Sequence, residues 1–184
     1  MFSGLEVADQ FYDILHKHCG RVQAVSCDEA FLDVTDIDPD PEMIASIIRQ
    51  EIMQMTRCTS SAGIAENLLL ARIATRSAKP NGQVSIASQK VDDYMKNLSI
   101  CALPGIGRTL QHKLKAQNIS TCSQLQLFSK EKLHKDFGIQ TGDKLWNYCR
   151  GIDNRMVEDV QVEKICIYIY TQDTSKDVEY FYPR

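Results

Sequence analysis

No apolar run in the 184-residue chain approaches the roughly 20 residues that a membrane-spanning helix needs. The opening MFSGLEVADQ has no basic start followed by an apolar stretch, so no secretory leader is expected and the chain reads as soluble and intracellular, with no membrane partner. Seven cysteines stand singly at 19, 27, 58, 101, 122, 149 and 166, with no C-x-x-C pair. That spacing argues for reduced thiols and against both a disulfide framework and a zinc site. His16, His18 and Cys19 are the nearest approach to a ligand cluster, but two histidines two apart on a helix point in different directions and read as surface side chains. There is no internal repeat and no low-complexity tract.

Charge of one sign is scarce in each end of the chain. Residues 1–58 carry 4 Lys and Arg against 11 Asp and Glu, whereas residues 105–155 carry 9 against 4. An acidic, cation-attracting part beside a basic part suits a protein that handles a polyanion, although ordinary surface variation accounts for it equally well.

Apolar spacing predicts a helix over 5–19, strands at about 22–27 and 30–35, and a second helix from Pro41 to about 57. Asp40 is its cap and Pro41 its first residue. SSAGIA reads as a strand, Asn67 as the cap of a helix LLLARIATRSA, KPNG as its stop and QVSIAS as another strand. This order suits an α+β layer, a mixed sheet with helices on one face. After Ser88 the strand signal disappears and short helices follow, closing at Gly151. We therefore expect a sheet-and-helix unit over 1–87, a small all-helical unit over 88–155 and a tail over 156–184. The alternating KICIYIY in that tail reads either as a terminal strand or as a poorly anchored end.

Three stretches carry chemistry. In VQAVSCDEAFLDVT, Asp28 and Glu29 sit side by side between two strands, where a divalent cation would cancel their repulsion. Taken alone, the pair is more simply a polar turn. In AGIAENLLLARIATRSAKPNGQ the cations are Arg72, Arg76 and Lys79, and Lys79 stands where the helix gives way to the turn, placed for a phosphate or for solvent. In LPGIGRTLQHKLKAQ, the run Gly105, Ile106, Gly107 between short helices is the signature of a helix-hairpin-helix. Its glycines let backbone approach a phosphate, and Arg108, Lys113 and Lys115 follow. A tight turn between packed helices is the plainer alternative, but the glycines and the basic helix agree on the nucleic-acid reading.

Together AVSCDEAFLDVT, GIAENLLLARIATRSAKPNGQ and LPGIGRTLQHKLKAQNISTCSQLQLFSKEKLHKDFGIQTGDKLWNYCRGIDNRMV resemble the Y-family translesion DNA polymerases over roughly residues 6–164. The version NLLLARIATR is similar to the deoxycytidyl-transferase, or reversionless, branch. The resemblance implies a partial ferredoxin-like palm over 1–87 and a helical thumb over 88–155. It implies that Asp28 and Glu29 hold Mg2+ in a two-metal site, activating the primer 3′-hydroxyl and binding the incoming triphosphate of dCTP. It further implies that Lys79 contacts that triphosphate, and that Gly105, Ile106, Gly107, Arg108 and Lys113 grip the backbone of primer-template DNA. DNA repair in the nucleus, alongside other translesion polymerase subunits, follows from the same likeness.

Family members open the palm with a further strand bearing a metal-binding aspartate in a D-x-D-x-F-F-like motif, and they carry fingers and a little finger. None of these is recognisable in this chain. The chain alone is therefore expected to be a catalytically silent piece of a larger polymerase, and its sheet is expected to leave an edge unpaired. A non-catalytic DNA-binding module using the hairpin is the competing reading. A nucleotide cyclase would explain the acids but leave the hairpin and AKPNG unused.

Overall fold

The computed structural model describes residues 4–38, 40–155, 157 and 165–172; the predicted tail residues 158–164 and 173–184 lie outside these. Helix α1 (Gly4–His18) buries Phe11, Ile14 and Leu15. Strands β1 (Val22–Ser26) and β2 (Glu29–Asp33) form the antiparallel hairpin, with Cys27 and Asp28 at its bend. Helix α2 (Pro41–Thr56) starts as expected, Asp40 accepting a hydrogen bond from the Glu42 N–H. Strand β3 (Thr59–Ala65) leads to α3 (Leu68–Ala78), where the Asn67 side chain accepts from the Leu70 N–H and its amide nitrogen donates to the Gly151 carbonyl. Strand β4 (Gln83–Ser85) runs parallel to β3.

The sheet order is β1-β2-β5-β3-β4, and its middle strand is β5 (Cys166–Gln172), which comes from the segment expected to be a tail. Strand β5 is antiparallel to both neighbours, with Ala30, Ile169 and Ala62 in one cross-strand row and Leu32, Ile167 and Ile64 in the next. The expected unpaired edge is thereby corrected: the inner edges of β2 and β3 both pair with β5. The alternation in KICIYIY explains why the segment can do this. Ile167 and Ile169 face one layer and Tyr168 the other, so both sides of a central strand are filled.

Helices α1 and α2 cover the face carrying Ala30, Leu32, Ala62, Ile64, Ile167 and Ile169, the one-sided layer the sequence predicts. Helix α3 departs from it and packs on the opposite face over β3, beside Phe31, Ala65 and Tyr168. Gly63 permits this approach, since a Cβ there would run into the Ala71 carbonyl and Thr75 of α3. Beyond β4 come α4 (Val91–Lys96), α5 (Arg108–Ala116), α6 (Cys122–Gln126), α7 (Lys130–Phe137) and α8 (Ile139–Tyr148), which bury Leu114, Leu125, Leu133 and Leu145 continuously with the α3 layer.

One buried carboxylate ties the hairpin down. Asp33, 3% exposed, accepts from the Thr35 hydroxyl and N–H and from Arg21 at 3.2 Å. Burial raises its pKa, but the Thr35 hydrogen bonds and Arg21 outweigh that and hold the carboxyl below the usual aspartate range. A depressed folded pKa stabilises fully above the unfolded value of about 3.9 and is lost as pH falls through the lower folded value. Asp33→Asn is therefore expected to lower the melting temperature at pH 7 and to flatten its decline below about pH 4. Thermal melts of both proteins from pH 7 to pH 2 check this.

Candidate active site and nucleic-acid interface

The hairpin bend, the C-terminal end of α3 and the middle of β5 meet on the α3 face of the sheet. Asp28 is half-buried at the bend, accepting from the Ser26 hydroxyl, and its carbonyl accepts from the Thr171 N–H at 3.0 Å. Tyr12 of α1 buttresses the bend by donating to the Ser26 and Glu29 carbonyls. Burial raises the Tyr12 pKa, and Cys27, Asp28 and Glu29 add to the rise, so the phenol stays protonated and keeps its donor. Glu29 begins β2 directly opposite Tyr170 and ion-pairs with Arg72 at 3.5 Å.

Lys79 ends α3, and its ammonium lies 3.1 Å from the centre of the Tyr170 ring. Burial lowers its pKa. Glu29 and Asp28 act in the opposite sense, while Arg76 and Arg72 add to the lowering. Tyr170 links the two groups in space, lying opposite Glu29 across β2 with the Lys79 ammonium over its ring. Helical spacing places Arg72, Arg76 and Lys79 along one side of α3, with Arg76 donating to the Cys101 carbonyl at 3.2 Å. Arg49 of α2 locks the following turn, reaching the Ser60 and Asn81 carbonyls and the Asn81 and Gln83 side chains.

Two neighbouring carboxylates supply hard oxygens, and magnesium characteristically binds through one or two carboxylates while keeping waters and taking phosphate oxygens. The donor chemistry of Asp28 and Glu29 fits that ion. Among the described residues no cluster of three or more His, Cys, Asp and Glu adds to them. In place of a further acid, β5 presents aromatic rings. Tyr168 packs against Phe31 with the rings tilted by 50° and their centres 4.6 Å apart, and the Arg72 guanidinium lies 5.4 Å from its ring centre. Burial pushes the Tyr168 pKa well up, and the adjacent Glu29 carboxylate adds to it. These two tyrosines are the site residues that sequence reasoning missed. Alternation pointed to a strand, but its pairing partners were not legible.

The second region is the turn before α5. Gly105 has φ +86, and a Cβ on it would stand 2.5 Å from the Lys144 ammonium nitrogen of α8. Gly107 caps α5 without a side-chain hydrogen bond, so no side chain competes there for an approaching anion. Ile106 is half-buried, packed against the apolar layer, while Arg108 and Lys113 are exposed and have no acidic partner in the salt bridges among the described residues. Leu103, Pro104, Gly105, Ile106, Lys144 and Tyr148 line a cavity of about 280 Å3 beside the turn. The hairpin and the acidic bend lie in separate parts of the structure, joined through α3 and its shared apolar layer.

Two family models match the chain. Residues 5–76 match the impB/mucB/samB family, and residues 101–153 match the DNA polymerase-iota thumb domain. The chain is 56% identical over 160 residues to the DNA repair protein REV1 of Arabidopsis thaliana, covering 86% of this chain and 14% of that protein. It is 44% identical over 155 residues to DNA polymerase IV of Francisella philomiragia, covering 83% and 44% respectively. Among solved structures it resembles the insertion ternary complex of Dbh DNA polymerase with a TM-score of 0.77 and 29% identity, covering 84% of this chain and 46% of that one. DinB from Sulfolobus solfataricus gives 0.76 and 28%, with 84% and 47% covered. The chain thus spans less than half the length of these relatives.

Proposed function

Because the chain belongs to the Y-family of DNA polymerases, we propose that it is the palm and thumb portion of a translesion polymerase that transfers deoxycytidylate from dCTP to a primer end opposite damaged template. The observation that supports this reading is that Tyr170 lies opposite Glu29 across β2, next to Thr171 whose N–H donates to the Asp28 carbonyl, while the Lys79 ammonium stands over its ring. Asp28 and Glu29 would hold magnesium, which when bound neutralises triphosphate charge and favours deprotonation of the primer 3′-hydroxyl. Lys79 meets the triphosphate as a point charge. Residues 1–87 act as palm and 88–155 as thumb. The Gly105–Arg108 hairpin and Lys113 hold primer-template DNA through its phosphates, which positions a duplex without reading its sequence. Work on damaged DNA in the nucleus, with other translesion polymerase subunits, accompanies this role.

The 184-residue chain by itself is expected not to extend a primer. Among the described residues its acidic set is two carboxylates, one of them tied to Arg72, and Lys79 stands over the Tyr170 ring. Primer extension with Mg2+ and dCTP tests this, and incorporation that Asp28→Ala abolishes would refute the expected silence. Duplex binding tests the thumb. Affinity is expected to fall steeply with salt, and Lys113→Ala is expected to weaken it uniformly across sequences, reducing the slope against log salt by about 1. Fluorescence anisotropy at several salt concentrations measures both. Undetectable affinity at low salt would remove the hairpin from the nucleic-acid interface.

A further inference from the structure

The contacts between β5 and the cations of α3 bear on the proposed nucleotide site, and the inference rests on that reading. Lys79 is the side chain placed for a triphosphate, yet its ammonium already has a ligand in the Tyr170 ring at 3.1 Å. Tyr170 is fixed there from both sides, paired with Glu29 across β2 and with Ser61 across β3. Two turns back along α3, Arg72 is engaged in the same way, ion-paired to Glu29 and set over Tyr168. The two aromatic residues of one strand thus occupy two cations of one helix, and Arg72 holds one of the two acids.

We propose that β5 is a built-in competitor for the nucleoside triphosphate, with the Tyr170 ring occupying the position on Lys79 that phosphate oxygens would take. A cationic face stacked on an aromatic ring is partly desolvated and directionally satisfied, so a phosphate gains Lys79 only by displacing the ring. The strand's backbone pairing is separate from this contact. Relief therefore requires only a side-chain rotation of Tyr170, and removing its ring leaves the ladder in place.

Calorimetric titration of the full chain with dCTP and Mg2+, without DNA, tests the competition. Tyr170→Leu keeps an apolar side chain at the ladder position but removes the π face, and is expected to bind dCTP between about threefold and thirtyfold more tightly than the parent. Tyr170→Phe keeps the ring and is expected to match the parent. Lys79→Ala is expected to abolish binding in either background. Equal or weaker binding by Tyr170→Leu, with the Lys79→Ala loss retained, overturns the competition and leaves the nucleotide site standing. If Lys79→Ala changes nothing, or no variant binds dCTP, the site itself is misassigned and the competition falls with it. Ring-current shifts in the proton spectrum give a readout without nucleotide, and stand if Tyr170→Leu is too unstable to titrate. In the parent chain the Lys79 ε-methylene protons, held over the Tyr170 ring, are expected upfield of those of Lys113, and equal shifts overturn the proposal.

Discussion

Ile169→Asp is expected to abolish cooperative unfolding, leaving a protein without a thermal transition and with exposed apolar surface that binds a hydrophobic dye. Ile169 is 0% exposed in the middle of β5, in a row with Ala30 on β2 and Ala62 on β3. A carboxylate there has Ile64, Leu32 and the inner faces of α1 and α2 for surroundings, with no cation to pair it. It must stay buried and uncompensated or take a proton, and either route costs more than about 4 kcal/mol. Domain stabilities of about 5–15 kcal/mol leave little margin for that loss. The effect exceeds an ordinary core defect because β5 is the one strand joining β1-β2 to β3-β4. Gln172→Asp, at the exposed end of the same strand, is expected to leave the melt within about 0.5 kcal/mol of the parent. Circular dichroism melts of the three proteins decide the matter, and a normal transition for Ile169→Asp would mean that β5 is not the strand that completes the sheet.

That expectation marks the boundary between what was legible in the sequence and what was not. Local signals were sufficient for α1, α2, α3 and the hairpin, because each is set by neighbours in the chain. Asp40 and Asn67 cap their own helices, and the apolar spacing of Ile44, Ile48 and Ile52 orients α2 without reference to distant residues. The place of β5 is decided over more than 100 residues of separation, by two edges left open between β2 and β3. Nothing local to CIYIYTQ distinguishes a central strand from a terminal one, since alternating apolar and aromatic residues satisfy both.

The site divides along the same line. Asp28, Glu29 and Lys79 were legible because their residue types and the turns around them carry chemistry of their own. Tyr170 and Tyr168 carry no such mark, and their role comes only from the register that sets Tyr170 against Glu29. Arg72 was legible as a cation on α3, but its pairing with Glu29 depends on how closely α3 approaches the sheet.

That approach is itself open to test, because a single glycine permits it. Gly63→Val is expected to destabilise the protein by about 3 kcal/mol or more and to abolish Mg2+-dependent dCTP binding even where the protein remains folded. A Cβ at Gly63 would stand 2.5 Å from the Thr75 N–H nitrogen and hydroxyl oxygen, and would also run into the Ala71 carbonyl. Two of those atoms are helix backbone, so relief requires α3 to move off the sheet as a body. The same movement carries Arg72 away from Glu29 and Lys79 away from the acidic bend, separating the groups proposed to hold the nucleotide. Gly63→Ala is expected to show the smaller form of both effects, about 1–3 kcal/mol in stability with weakened binding. Adding Thr75→Ala removes only the hydroxyl clash, so it should restore part of the stability and little of the binding. Denaturant melts and calorimetric titrations on the same preparations separate the two effects. Full dCTP affinity in Gly63→Val would show that the nucleotide site does not depend on the seating of α3 against the sheet.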